Sequence, residues 1–285
     1  MLLFVTCSSD DGDGSVDPVE PTKQVTEAEL TEIPVTNAPF LTEVSGMAHS
    51  LVADSVLWVH NDSGDKPAVY AISKTGRYLG EIILTNAANQ DWEAIATVEN
   101  GGKKYIYIAD FGDNKSQYTS YFFYRIEEPD VNSYLGKTLE LSPEVAEYSY
   151  EDIITQDAEA FLINASSLEI LILSKVLSNS RVYDLGDPFN GNNLAVRLGT
   201  IDYGFVTASD VSNNQVLIKT YGAIYCFEQL PSLYESIQAE PANLSYFPEY
   251  RGESVCWDKD NKGYFTMSEL EDGQQIPVLN YYRFK

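Results

Sequence analysis

Histidine is almost missing from this 285-residue chain; there are two, His49 and His60. Three widely separated cysteines, Cys7, Cys226 and Cys256, form no cluster able to cage a soft metal. Basic residues are scarce as well, with 18 Lys and Arg against 43 Asp and Glu, a formal charge of -25 and a pI near 4.2. Such a surface repels phosphate backbones, so nucleic acid is excluded as a partner. Apolar runs all fall well short of the ~20 residues of a spanning helix. Neither a G-x-S-x-G elbow nor a Walker loop occurs, which removes two common routes to catalysis.

What is present is apolar and aromatic: 44% hydrophobic residues, with 20 Tyr and 12 Phe, a composition that leans towards β-structure. The N-terminal MLLFVTC is followed by SSDDGDGSVDPVE, a polar, acidic tract without apolar periodicity that reads as spacer. The short apolar run ending at Cys7, with Ser-Asp-Asp-Gly after it, resembles a Bacteroidota surface lipoprotein. That resemblance implies lipidation of Cys7 and anchoring at the bacterial outer membrane or cell surface, with membrane contact by the lipid anchor only. Residues 9–20 also approach a calcium-loop pattern, but Ser9 stands at its first position, so the tract is read as spacer. The expected organisation is residues 1–24 as signal remnant and spacer and residues 25–285 as one domain.

From residue 29 the chain is built of short strands in repeating sets. Apolar runs ending in polar clusters recur as VLWVHNDSGD, YIYIADFGDN, LEILILSK, QVLIKTYG and GYFTMSELED. An aromatic strand follows each of them, and a strand of a third kind precedes each: EVSGMA, QDWEAIA, DAEAFL, ASDVS and GESVCW. A fourth strand completes four of the five sets, and AELTEIPV at 28–35 can complete the fifth by pairing with LNYYRF. A four-stranded antiparallel unit cannot bury both faces alone, and radial stacking solves that problem. The expected fold is all-β, a β-propeller of five four-stranded blades closed by the N-terminal strand. Six blades is the alternative, with extra strands in the tail 128–150.

Aligned on their acids, the innermost strands place Ser45, Glu93, Glu159, Asp210 and Glu253 in one position, at spacings of 48, 66, 51 and 43 residues. In a propeller these become neighbours around a central channel. Asp91 and Asp157 lie two residues earlier, on the same strand faces. Converging carboxylates need protons or a cation. Oxygen ligands favour a hard ion, calcium before magnesium, with Glu93, Glu159, Asp210 and Glu253 as its ligands. Asn61, Asp62, Asp110, Asp113, Asp157 and Glu269 are expected at the channel rim, where turn capping is their competing role.

Together WVHNDSGD, DWEAIA, DFGDN and DAEA resemble a family of uncharacterised secreted bacterial β-propeller proteins. They are more distantly similar to phytase-like and strictosidine-synthase-like propellers. This resemblance implies a central calcium site and leaves the activity open. Phytase-like members also hold phosphate with Lys and Arg, for which Lys175, Lys219 and Arg251 are available. Candidates for catalysis are His60, Asp91 and Lys175. Two functions stand side by side: a metal-assisted hydrolase of phosphoesters or esters, and a non-catalytic binding module stabilised by metal. The ligand expected is a small molecule, glycan or phosphoester, and the chain is expected to be a monomer. Trp58, Trp92 and Trp257 are read as packing between blades, and Cys226 and Cys256 as buried free thiols.

Overall fold

Runs such as VLWVH, YIYIA and LEILIL combine β-branched, aromatic and aliphatic residues between turn formers, and each forms a strand. A computed structural model describes residues 25–285. Cys7 and the calcium-loop-like tract lie outside the described residues. The chain opens with β1 (Val25–Thr26) and β2 (Ala28–Pro34). A first antiparallel unit follows: β3 (Val44–His49), β4 (Val56–Asn61), β5 (Ala68–Ser73) and β6 (Tyr78–Leu84). The second contains β7 (Trp92–Asn100), β8 (Lys103–Asp110), β9 (Tyr121–Glu127) and, after the short β10 (Thr138–Leu141), β11 (Glu144–Tyr150). The third runs β12 (Ala158–Ile163), β13 (Ile170–Ser174), β14 (Arg181–Gly186), β15 (Leu194–Thr200). The fourth is β16 (Val206–Ser212), β17 (Gln215–Thr220), β18 (Ile224–Glu228) and, beyond a one-turn helix at Leu233–Gln238, β19 (Ala242–Leu244). The last has β20 (Ser254–Trp257), β21 (Gly263–Met267) and β22 (Val278–Phe284).

This last unit is completed by β2, which pairs antiparallel with β22 from Ala28↔Phe284 to Pro34↔Val278. The closure expected from AELTEIPV is therefore present. The neighbouring β1 adds in parallel to β19 of the fourth unit, so the N-terminal segment staples two units together. The tail 128–150 gives no further unit among the described residues. It supplies β11 and sends β10 back to pair in parallel with β6 of the first unit. A two-residue parallel contact of β11 with β15 links the second and third units. These additions cover strand edges that would otherwise invite pairing with another molecule.

The apolar core lies between the units, not in the middle of the ring. Trp58 and Trp92 fill the seam of units one and two, and Tyr107, Phe123, Phe161 and Tyr183 that of two and three. Leu171 and Ile218 join three to four, Leu217 and Trp257 join four to five, and Phe265 and Leu57 close five onto one. All three Trp are fully buried, each burial contributing about 1.5–3 kcal/mol or more. Cys226 and Cys256 are free, buried thiols. Two hairpins carry positive φ at both turn residues, Gly101–Gly102 and Asn213–Asn214, as a twist-matched two-residue loop requires.

Candidate functional site

The site begins with an irregularity in the inner strands. In β3, β7, β12 and β16 the pairing slips by one residue, leaving Ser45, Glu93, Glu159 and Thr207 out of register. Glu253 holds the matching place in the fifth unit, directly before β20. A bulge of this kind re-aims one side chain, and here it does so towards the axis of the ring. A second tier comes from the ends of the following strands. Two residues beyond the partner of the residue that follows Ser45, Glu93, Glu159, Thr207 or Glu253 stand Asp62, Phe111, Lys175, Tyr221 and Glu269. Phe111 is buried in the core; the other four line the cavity.

That cavity measures ≈ 260 Å³ and is lined by Asp62, Glu93, Asn114, Glu159, Lys175, Tyr221, Arg251, Glu253 and Glu269. A second, of ≈ 150 Å³, shares Asp62 and Asn114 with it and adds Asp91 and Asp113. Glu93, Glu159 and Glu253 bring carboxylate oxygens within 4.8 Å of one another, and so do Asp62, Asp91 and Glu93. Glu93 and Glu159 are 2% and 1% exposed, and one oxygen of each is buried without a hydrogen-bond partner. Lys175 contacts Glu159 through its Nζ and lies 3.1 Å from Glu253 Oε1. The Tyr221 hydroxyl donates to Glu253, and the Lys175 ammonium sits 5.4 Å from the centre of the Tyr221 ring.

Electrostatics follow from this crowding. Burial, then the charges of Glu159, Asp62 and Glu253, raise Glu93 well above the ordinary carboxyl range. Glu159 is raised by burial and by Glu253, and Lys175 opposes but does not cancel them. Burial and the neighbouring Asp62 push Asp91 up to about 7. Burial works against the charge on Lys175, but Glu159 and Glu253 prevail and hold it protonated. Gly112 of the DFGDN run lies directly over the acids. A Cβ there would stand 2.5 Å from Glu93 Oε1 and 2.6 Å from Asp91 Oδ2, so a larger residue would have to push these carboxylates aside.

The structure separates the expected site residues into two groups. Glu93, Glu159, Glu253, Asp62, Glu269 and Lys175 meet in the cavity. Asp210 does not join them: it is buried elsewhere and accepts from the Val211 and Trp257 amides at 2.8 and 2.7 Å, clipping β16 to β20. Hydrogen-bond register, not the nearest acid, decides which residue of the fourth unit matches Glu93, and that residue is Thr207. Several rim acids serve turns. Asp110 accepts from the Asp91 amide at 2.7 Å, Asp113 from Gln117 N at 2.6 Å, and Asp157 from Asp113 N at 2.8 Å. Asn61 Oδ1 accepts from Glu43 N at 3.3 Å.

His60 is fully buried beneath Gly46, with Nδ1 3.1 Å from the Asn61 carbonyl, and burial lowers it to about 4. It is thereby removed from the solvent-facing chemistry expected of it. Lys219 is likewise enclosed, its Nζ on the Gly252 carbonyl. Sequence reasoning passed over Asn114 and Tyr221. Tyr221 was detectable as the residue directly after QVLIKT, the place that Lys175 has after LEILILS.

No protein-family model matches this chain, and no curated protein matches it. Among solved structures it is similar to a glutaminyl cyclase of Myxococcus xanthus, at 8% identity and a TM-score of 0.52 over 92% of this chain and 99% of that one. It also resembles the PQQ-bound aldose sugar dehydrogenase of Streptomyces coelicolor, at 9% identity and TM-score 0.46 over 90% and 99% of the two chains. A third likeness is to the Dos1 propeller, at 13% identity and TM-score 0.39 over 84% and 68%. These are propeller-type folds, and the first supports the fold class for this chain; the other two are too distant to add to it. Fold and site together define an all-β propeller with an acidic central cavity.

Proposed function

We propose that the cavity binds a hard divalent cation, calcium before magnesium, and that the protein works as a cation-dependent module anchored outside the cell through lipid on Cys7. The observation that carries this reading is the buried, unpartnered carboxylate oxygen of Glu93, the acid common to both triads. A buried polar atom without a partner is costly, and an ion is the partner that three convergent acids fit. The donors are oxygens, which suits calcium or magnesium and not a soft metal.

Thermal melts with calcium, with magnesium and with chelator test the reading. Native-state binding at 100 times the dissociation constant raises stability by about 2.7 kcal/mol. The wild-type melt should rise with calcium, and Glu93→Gln should abolish most of that rise. A wild-type melt that ignores both ions would sink the proposal. One observation favours chemistry over passive binding: Asp91, pushed up to about 7, lines the smaller cavity and the Lys175 ammonium the larger, and the two cavities share Asp62 and Asn114. A carboxyl poised there can exchange a proton at working pH. Hydrolysis of an ester or phosphoester is the reaction class we attach to it. Chromogenic esters and phosphoesters assayed with wild type, Asp91→Asn and Lys175→Met check this, and equal rates in all three would leave only the binding module.

A further inference from the structure

We infer that the ion sits between Asp62, Asp91 and Glu93, and that Lys175 is a built-in ammonium that closes the Glu159–Glu253 half of the cavity to a second ion. This rests on the reading that the cavity takes a hard divalent cation. Glu93 belongs to both acidic triads, so the question is which pair of acids joins it.

Glu159 and Glu253 already have a cation. Lys175 Nζ touches both, its side chain is 15% exposed, and Tyr221 donates a further hydrogen bond to Glu253. An ion placed there meets a positive charge at contact distance, or must drive Lys175 out from two buried carboxylates. The other triad has no such occupant. Among the described residues, no ion pair joins Asp62, Asp91 or Glu93 to a Lys or Arg.

Two further observations point to a ligand. Glu93 is 2% exposed and its Oε2 has no hydrogen-bond partner. The Gly112 backbone lies directly over the carboxylates of Asp91 and Glu93, where a Cβ would have to push them aside. Access is open as well, because Asp62 lines both cavities, Asp91 the smaller and Glu93 the larger. Calcium takes about six to eight oxygens. Three carboxylates leave places for water and for the Asn114 side chain, which also lines both spaces.

Titration calorimetry with calcium chloride, together with metal analysis of the dialysed protein, tests the assignment on four forms of the full chain. Wild type should bind one ion. Asp91→Asn should bind roughly 100-fold more weakly, since site charge sets calcium affinity. Lys175→Met should bind two ions, and the Asp91→Asn/Lys175→Met double variant one. Lys175→Gln is run beside Lys175→Met, with melts of each, and the same stoichiometry is expected from whichever folds as wild type. Wild-type affinity in Asp91→Asn would place the ion elsewhere and overturn this assignment alone. A single ion in the folded Lys175 variants would overturn the role given to Lys175. No uptake by wild type would overturn both the assignment and the cation reading beneath it.

Discussion

Units one and four carry the same bulge as units two and three, with Glu253 in the matching place of unit five, yet put that position to opposite ends. Ser45 and Thr207 carry hydroxyls, and each donates to a backbone carbonyl of the next unit, Trp92 at 2.7 Å and Gly252 at 3.2 Å. Those acceptors are equivalent, each standing just before its own unit's Glu. Glu93, Glu159 and Glu253 make no such latch and converge on the axis instead. One position of the repeat thus makes fasteners in two units and a site in three. The ring is held where the side chain gives a proton to its neighbour, and it is strained by like charge where it does not.

The largest effect should come from opening the ring on which both uses depend. Removing residues 1–35 takes away β2 and the seven register pairs it makes with β22, along with β1 at β19. That truncation should aggregate or fail to fold, whereas removing 1–24 should leave the melt unchanged. Size-exclusion chromatography and thermal melts of the two forms decide it, and equal behaviour would count against closure by β2.

Next in size are the two kinds of bulge residue, whose substitutions should have opposite signs. Thr207→Val keeps the shape but removes one of two donors to the Gly252 carbonyl, leaving Lys219 Nζ, and should cost about 0.5–1.5 kcal/mol, whereas Ser45→Ala takes the side-chain donor from the Trp92 carbonyl and should cost about 1–3 kcal/mol. Glu93→Gln should instead stabilise the metal-free protein by something on the order of 1 kcal/mol, because a repelling charge is gone. Denaturant melts in chelator give all three values. A stabilising Thr207→Val or a destabilising Glu93→Gln would erase the contrast.

Much of this contrast was legible in the sequence, and its limits were physical. Repeated strand types, the closing strand and the convergence of Glu93, Glu159 and Glu253 all followed from period and pattern. Assigning Asp210 to the ring failed because acids were aligned with acids. Register is set by backbone pairing, and the bulge shifts it where a hydroxyl stands in for the carboxylate. Asp110, Asp113 and Asp157 were visible as rim acids, but whether such a group faces an amide or a cavity depends on loop geometry that composition does not encode. His60 was misplaced for a related reason: Gly46, from another strand, leaves the room that buries its ring.

Acidity should sharpen the contrast further. Glu93 and Glu159 bind protons more tightly when folded than their ordinary value of 4.5. For an acid raised in this way, the unfolded chain loses its proton first as pH rises. The stabilising contribution is therefore full below about 4.5 and is lost as pH climbs through the folded values. In chelator, wild type and Glu93→Gln should melt together near pH 4 and separate as the pH is raised, with Glu93→Gln the more stable. Thr207→Val should lie below wild type by a margin independent of pH, since no titrating group is changed. Melts between pH 4 and 8 check both, and a gap between wild type and Glu93→Gln that closes with rising pH would contradict the sign.

The smallest effect lies within the Glu-bearing units themselves. Two residues before the Glu stand Asp91 in unit two and Asp157 in unit three, but Arg251 in unit five. Arg251 pairs with Glu269 at 3.1 Å, with its side chain 59% exposed, so the pair contributes only about 0.2–1 kcal/mol. Its φ of 39° lies in the left-handed region, which a residue with a Cβ occupies at a cost of about 1–2 kcal/mol. Arg251→Gln loses the ion pair and keeps the strain, so it should melt slightly below wild type. Arg251→Gly loses the pair but relieves the strain, offset by about 0.4–1 kcal/mol of added freedom in the unfolded chain. It should lie between Arg251→Gln and wild type or marginally above both. Adding salt should shrink the gap between wild type and Arg251→Gln, because exposed pairs are screened. If Arg251→Gly were the least stable of the three, the freedom added to the unfolded chain would outweigh the strain relieved, and the left-handed φ would not be a cost at this corner of the rim.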